Sequence, residues 1–599
     1  MQESDGSIEL GCDGGPTRRR EMHCAELLQT RGVLMDLRDK RRGDNHRRHG
    51  REQDSVSSHS YSRESSCATW TIARAGDASL ESPVRRAGHA ATVECYAFFA
   101  MVYSARRFSG DAAPRLAPYI GAISMDVRGP RFPPARMMRS RHPSIRCAAW
   151  FAASVLWSST SATAQQPLSD FALQAAKRQP SFTPDHQNGV YASGERVGWT
   201  IIAPEGAAAA PTTYTYTVRR DGGTVVSEGT FDLRTGRARI ESSLADPAML
   251  VVEVKPATPD TSFGNRSTGG AGRVLLGAAV APTAIRAAEP RPADFDAFWA
   301  AKIALLDAIP LNAVVTRGES GTAGVEWATV RMNNIKGAHV YGQLAKPARE
   351  GKFPGLVVYQ WASPPYPLQK AWVTDRAAEG WLALNVEPHD VPANMPQAFY
   401  DALPALIKSY STIGQHSRDE SYFLQMYLGA HRAIEYLATR PEWDGKTIVV
   451  MGTSMGGQQS FAAAGLNPRV TALIVNVPAG ADVTASLHGR GTSYPNWNVS
   501  RPEVLETARY FDTVNFGSRI TARSLVAMGF IDDVAAPTGI WAVFNGIRGP
   551  KEAVPMIDSP HNNYATPDQQ RPFTRRAAEW LSSLVNGGDP ISGRPQSPY

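Results

Sequence analysis

Between residues 187 and 285, apolar and polar positions alternate in short runs separated by turn residues. The stretches 191–202 (YASGERVGWTII) and 213–218 (TYTYTV) follow the period of two expected of half-buried strands. Asp221-Gly222-Gly223 turns the chain into 224–228. Stretches 231–233 and 238–242 flank Arg234-Thr235-Gly236, and 248–254 and 273–276 complete the set. Short strands spaced by roughly 8–12 residues predict an immunoglobulin-like all-β sandwich over 165–286. It carries no chemical constellation, so its expected role is structural or adhesive.

Near residue 290 the period changes. Residues 294–307 (DFDAFWAAKIALLD) place Phe295, Phe298, Trp299 and Ile303 on one helical face. Stretches 325–332 and 339–346 then read as an antiparallel pair. The runs 355–360 (GLVVYQ) and 381–386 (WLALNV) are apolar enough for parallel strands buried on both faces, with a helix over 370–379 between them. A long helix over 419–439 ends before Arg440-Pro441. Strands follow at 447–451, 471–477, 523–530 and 554–557, and an amphipathic helix over 572–585 closes the set. This alternation predicts a doubly wound, mostly parallel α/β sheet over 287–590, with a disordered tail at 591–599.

Composition alters this picture only before residue 165. The 599-residue chain is 42% hydrophobic and 20% charged, an ordinary globular balance. No apolar run approaches the ~20 residues of a membrane span. The formal charge is +7, but 39 basic and 39 acidic side chains follow residue 164, so the excess lies upstream. Charge therefore gives no reason to expect a nucleic-acid partner. All five cysteines (Cys12, Cys24, Cys67, Cys95 and Cys147) also precede residue 165. Residues 137–146 are basic, 147–157 (CAAWFAASVLW) are apolar, and Ala162-Thr163-Ala164 is a small-residue cleavage pattern. Together they read as a signal peptide over 137–164, and hence as export to the periplasm or beyond. Residues 1–136 are then either an extension upstream of the true start, at Met137 or Met138, or a disordered basic arm.

The chemistry concentrates in 447–464 (TIVVMGTSMGGQQSFAAA). Gly452-Thr453-Ser454-Met455-Gly456 is a G-x-S-x-G motif between a buried strand and a small-residue helix, the context of a nucleophile elbow. A serine there needs a base, and the expected chain order is serine, acid, histidine. His488 and His561 are the histidines beyond Ser454. His561 directly follows a strand and is the predicted base. The strand at 523–530 runs into Asp532-Asp533. Asp532, first after the strand, is the predicted acid, with Asp533 the alternative. The oxyanion donors are expected to be the N–H of Met455 and that of Trp361 or Ala362, after the GLVVYQ strand. Tyr366, Tyr494 and Trp497 lie in loops near the same edge, either as sugar-stacking platforms or as packing anchors. His389-Asp390 and His416 are isolated, so no metal site is expected, and no cofactor motif is present.

These residues resemble the acetyl xylan esterase / cephalosporin C deacetylase family of α/β hydrolases, over about 290–590. The resemblance lies in Phe295-Asp296-Ala297-Phe298-Trp299, His431-Arg432-Ala433-Ile434-Glu435-Tyr436-Leu437, Arg440-Pro441-Glu442-Trp443-Asp444 and Gly452-Thr453-Ser454-Met455-Gly456-Gly457. It continues in Gly529-Phe530-Ile531-Asp532, which favours Asp532 as the acid, and in Pro550-Lys551-Glu552. Met455, Asn562 and Gln360-Trp361-Ala362 depart from the family's usual residues. The resemblance implies an α/β-hydrolase fold and a serine esterase that cleaves short acyl esters, above all acetyl esters on carbohydrate. A serine peptidase of the same fold and a non-catalytic glycan- or cell-wall-binding protein are the alternatives. Oligomeric state is not legible.

Overall fold

The computed structural model describes residues 179–204, 212–260, 263–264, 272–363, 365–561 and 567–592. The expected leader and signal peptide, all five cysteines, Asn562 and the tail from 593 onward lie outside these residues. Among the described residues no helix is long and apolar enough to cross a membrane.

Among the described residues, two sheets precede residue 286. One has the order β1 (Ser181–Pro184), β3 (Arg196–Ile202), β6 (Arg237–Ser243). The other runs β2 (Val190–Tyr191), β8 (Val274–Val280), β7 (Ala248–Pro256), β4 (Thr213–Arg220), β5 (Thr224–Asp232). Both contribute to one apolar cluster, including Val197, Trp199 and Ile201 from β3 and Leu250, Val252 and Val254 from β7. These residues alternate along their strands, as the period of two requires. The structure corrects three details. Stretches 224–228 and 231–233 form one strand, β5. The run 191–202 is broken by a turn at Gly194, where φ is 76° and the Glu195 carboxylate accepts the Ala192 N–H. β1, half exposed throughout, was not anticipated.

The larger sheet has nine strands in the order β17-β16-β15-β14-β12-β13-β11-β10-β9. They are β9 (Val314–Gly318), β10 (Val325–Asn333), β11 (His339–Pro347), β12 (Phe353–Tyr359), β13 (Leu382–Val386), β14 (Trp443–Thr453), β15 (Ala472–Asn476), β16 (Arg523–Gly529) and β17 (Lys551–Met556). β12 to β17 pair in parallel, whereas β9, β10 and β11 form an antiparallel flank. The parallel strands are covered on both faces. Leu356, Val358, Ala383, Val449 and Ile474 pack with helices α1 (Ala371–Ala378) and α6 (Arg571–Val585). Their alternates Val357, Tyr359, Leu384, Val450 and Val475 pack with α2 (Tyr422–Thr439), α3 (Met455–Leu466) and α5 (Pro537–Gly546). Pro502–Phe511, here α4, packs with the outer side of α2 through Val504, Ala508 and Phe511.

This is the α/β-hydrolase arrangement, a mostly parallel sheet wound on both faces. The chain passes from β12 to β13 on one side, and from β13 it crosses back over β12 to β14 on the other, so the winding reverses beside β12. Such a switch point opens a crevice beyond the strand carboxyl ends, where ligands bind in sheets of this kind.

Candidate active site

The turn after β14 is built by glycine. Gly452 pairs with Tyr359 of β12, so the ends of β14 and β12 lie side by side. A Cβ on Gly456 would overlap the Tyr359 carbonyl, and one on Gly452 would overlap the Gly456 backbone. No larger residue permits this approach. The turn leaves Ser454 at φ 56° and ψ −119°, a strained conformation for a residue with a side chain. Its N–H donates to the Asn476 carbonyl at 3.0 Å. Ser454 opens α3 without capping it through its side chain.

That side chain faces His561 instead. Ser454 Oγ lies 2.7 Å from His561 Nε2, and His561 Nδ1 lies 2.8 Å from Asp532 Oδ2. A carboxylate accepts only, so Nδ1 carries the proton and Nε2 is free to accept from the serine hydroxyl. The imidazole and carboxylate side chains are 3% and 0% exposed. Burial pushes the Asp532 carboxyl above its ordinary range, opposed by the imidazole and by the N–H groups of Ala535 and Val534. Those two donate to Oδ1 at 2.7 and 2.9 Å, so both carboxylate oxygens are engaged. Asp533 is exposed and shows no such set.

β16 and β17 are parallel neighbours, which brings the segments carrying Asp532 and His561 to one edge. The Phe530 N–H donates to the Met556 carbonyl at 3.0 Å and extends that pairing past the strand ends. Met455 is the first residue of α3, and Trp361 and Ala362 follow β12 next to the Ser454 turn. The Gln360 carbonyl accepts from Gln459 Nε2 of α3 at 3.1 Å, tying that loop to the helix.

His389, treated as isolated in the sequence, follows β13 and holds this loop. Its Nε2 lies 2.7 Å from the Ala362 carbonyl and its Nδ1 lies 2.9 Å from the Tyr422 hydroxyl. The carbonyl requires a donor, so Nε2 is protonated and Nδ1 accepts from Tyr422. Burial lowers its pKa from 6.5 to about 4. Between these values the unfolded chain holds a proton that the folded chain lacks, so stability falls as pH drops through that window. The expected contribution is about 3 kcal/mol lost from pH 7.5 to pH 4. Urea unfolding across this range should show a shallower fall for His389→Gln, whose amide still donates to Ala362. Equal pH slopes in the two proteins would refute this role.

The aromatic positions divide. Trp497 is 6% exposed, stacks on Phe423 and donates from Nε1 to the Ser411 carbonyl at 2.7 Å. It packs as an anchor, the second of the two roles left open for it. Tyr494 shares a hydroxyl hydrogen bond with Tyr410, and burial raises its pKa to about 12. Tyr366 stacks on Trp361 at 5.1 Å between ring centres, and both are half buried. Among the described residues no group of His, Cys, Asp and Glu side chains is arranged to hold a metal ion.

Comparison with known proteins adds the chemical class. The curated "Acetyl esterase Axe7A" of Xylanibacter ruminicola is 28% identical over 416 residues, covering 67% of this chain and 90% of that protein. The solved acetyl xylan esterase from Paenibacillus sp. R4 is 26% identical, with TM-score 0.43, and covers 49% of this chain and 96% of that one. Acetyl xylan esterase 1 from Thermoanaerobacterium sp. JW/SL YS485 is 21% identical, with TM-score 0.42, and covers 51% and 97%. The family model described as acetyl xylan esterase (AXE1) matches residues 283–583, half of the chain and the whole nine-stranded sheet. The chain therefore belongs to the acetyl xylan esterase family and is a carboxylic-ester hydrolase.

Proposed function

We propose that the chain is an exported serine esterase that removes short acyl groups, acetyl foremost, from carbohydrate. Ser454 is the nucleophile, His561 the base and Asp532 the acid. The observation that carries this reading is the pair of hydrogen bonds, Ser454 Oγ to His561 Nε2 at 2.7 Å and His561 Nδ1 to Asp532 Oδ2 at 2.8 Å.

His561 takes the hydroxyl proton as Ser454 Oγ attacks the ester carbonyl carbon. The carbonyl oxygen becomes an oxyanion and accepts from the Met455 N–H and from that of Trp361 or Ala362. Asp532 holds the imidazolium through Nδ1. His561 then returns the proton to the departing alcohol oxygen, leaving an acyl-serine. Water enters, His561 deprotonates it, and its attack releases the acid and restores Ser454.

The reading extends to the rest of the chain. The two-sheet region before residue 286 is an immunoglobulin-like sandwich, and the hydrolase occupies 287–590. The basic and apolar segments at 137–164 direct export.

Hydrolysis of p-nitrophenyl acetate, butyrate and octanoate by the full-length protein tests the substrate class, beside acetylated xylo-oligosaccharides and a peptide anilide. Turnover is expected to fall steeply with acyl length, with acetate released from the oligosaccharides. Faster cleavage of the anilide than of the acetyl esters would make it a peptidase and refute the proposal.

A further inference from the structure

The β-rich region touches the two segments that carry the proposed acid and base. Gly277 in β8 is the closest approach. A Cβ there would lie 2.5 Å from Phe530 Cβ and 3.0 Å from the Ile557 carbonyl oxygen. Gly189, beside β2 at φ 66°, makes a parallel approach: a Cβ would lie 2.6 Å from Ile557 Cγ2 and 3.3 Å from Phe530 Cε2. Phe530 lies two residues before Asp532, and Ile557 four before His561. Phe530 is fully buried and shares an apolar cluster with Met249 of β7 and Ala279 of β8.

A second contact reaches the other side of Asp532. Asp221, at the β4–β5 turn, is buried, and its Oδ1 accepts from Thr538 Oγ1 at 2.9 Å and from the Met249 N–H at 2.8 Å. Thr538 lies in α5, just after Val534 and Ala535, whose N–H groups hold Asp532 Oδ1. The same turn is tied to the 489–491 segment, where the Gly491 N–H donates to the Asp221 carbonyl at 2.7 Å.

We infer that the β-rich region is a positioning part of the catalytic centre. β8 and the β4–β5 turn clamp the Asp532 and His561 segments into register with Ser454, and Gly277 and Asp221 are the positioning residues. This rests on the proposed roles of Ser454, Asp532 and His561. The physical reason is that acid and base sit on loops past the strand ends, where the sheet no longer constrains them. A packed neighbour must do so instead, because a misplacement of about 1 Å costs about 100-fold in rate. The similarity to the acetyl esterase of Xylanibacter ruminicola covers 67% of this chain and so extends outside the family-matched residues 283–583.

Gly277→Ala in the full-length protein tests this. The methyl group has no room and must push Phe530 and Ile557 apart. With p-nitrophenyl acetate, kcat is expected to fall about 10- to 100-fold while KM stays within about twofold. The midpoint of the acidic limb of the pH–rate profile should move, since the Asp532–His561 contact changes. Labelling of Ser454 by a fluorophosphonate should slow in step with kcat. Gly198→Ala is the control, because its added methyl meets Asp185 and Arg239 within the β-rich region and should leave these readouts unchanged. If Gly277→Ala does not fold, Thr538→Val removes the Asp221 hydrogen bond at constant volume and should show the same split. Wild-type kcat, pH profile and labelling rate in the folded variant would overturn the clamp. Ser454→Ala in parallel keeps the cases apart: its failure to label or turn over leaves the proposed mechanism standing.

Discussion

Ser454→Ala is expected to lower kcat on acetyl esters by about 10⁴- to 10⁶-fold with the fold intact. The nucleophile is lost outright, and what remains is binding and oxyanion stabilisation acting on water. The serine side chain is half buried and does not cap α3, so its removal disturbs little packing. Ser454→Gly should be equally inactive but more stable than the alanine variant. At φ 56° and ψ −119° a Cβ is strained, at a cost of order 1–3 kcal/mol, partly offset by the greater flexibility of unfolded glycine. Steady-state kinetics with urea unfolding of both variants checks the pair. Retained turnover in Ser454→Ala would remove the serine from the mechanism. Equal stability of the two variants would remove the strain.

Asp532→Asn is expected to reduce kcat by about 10³- to 10⁴-fold, and Asp533→Asn by less than about twofold. The Val534 and Ala535 N–H groups both point at Oδ1, so the asparagine amide must set its carbonyl oxygen there. Its NH₂ then faces His561 Nδ1, which can no longer donate and becomes the acceptor. The ring proton moves to Nε2, and His561 loses the lone pair that takes the Ser454 proton. Asp533 faces solvent, so its substitution touches none of this. Comparable losses in both variants would refute the assignment of Asp532.

Much of this was legible along the chain because it is local. The Ser454 turn announces itself through glycines at 452 and 456, which the close approach to β12 demands. The buried parallel strands read as continuous apolar runs because both faces are covered. Asp532 and His561 follow from strand order. β9 was not legible, since all five of its residues are exposed and leave no alternating signature. His389 was missed because its partners, Ala362 and Tyr422, come from distant parts of the sequence. Gly277 was passed over for the same reason: the strand read at 273–276 in fact runs to Val280. Its meaning lies in Phe530 and Ile557, more than 250 residues further on.

The shared cluster of Met249, Ala279 and Ile285 with Val526, Met528 and Phe530 bears on cooperativity. The change of pattern near residue 286 divides two architectures, yet residues on both sides of it belong to one compact unit. A partial opening that freed the β-rich region would expose the apolar floor beneath Phe530 and Ile557 to water. Such an opening carries a cost in exposed apolar surface, and the two halves are expected to unfold together.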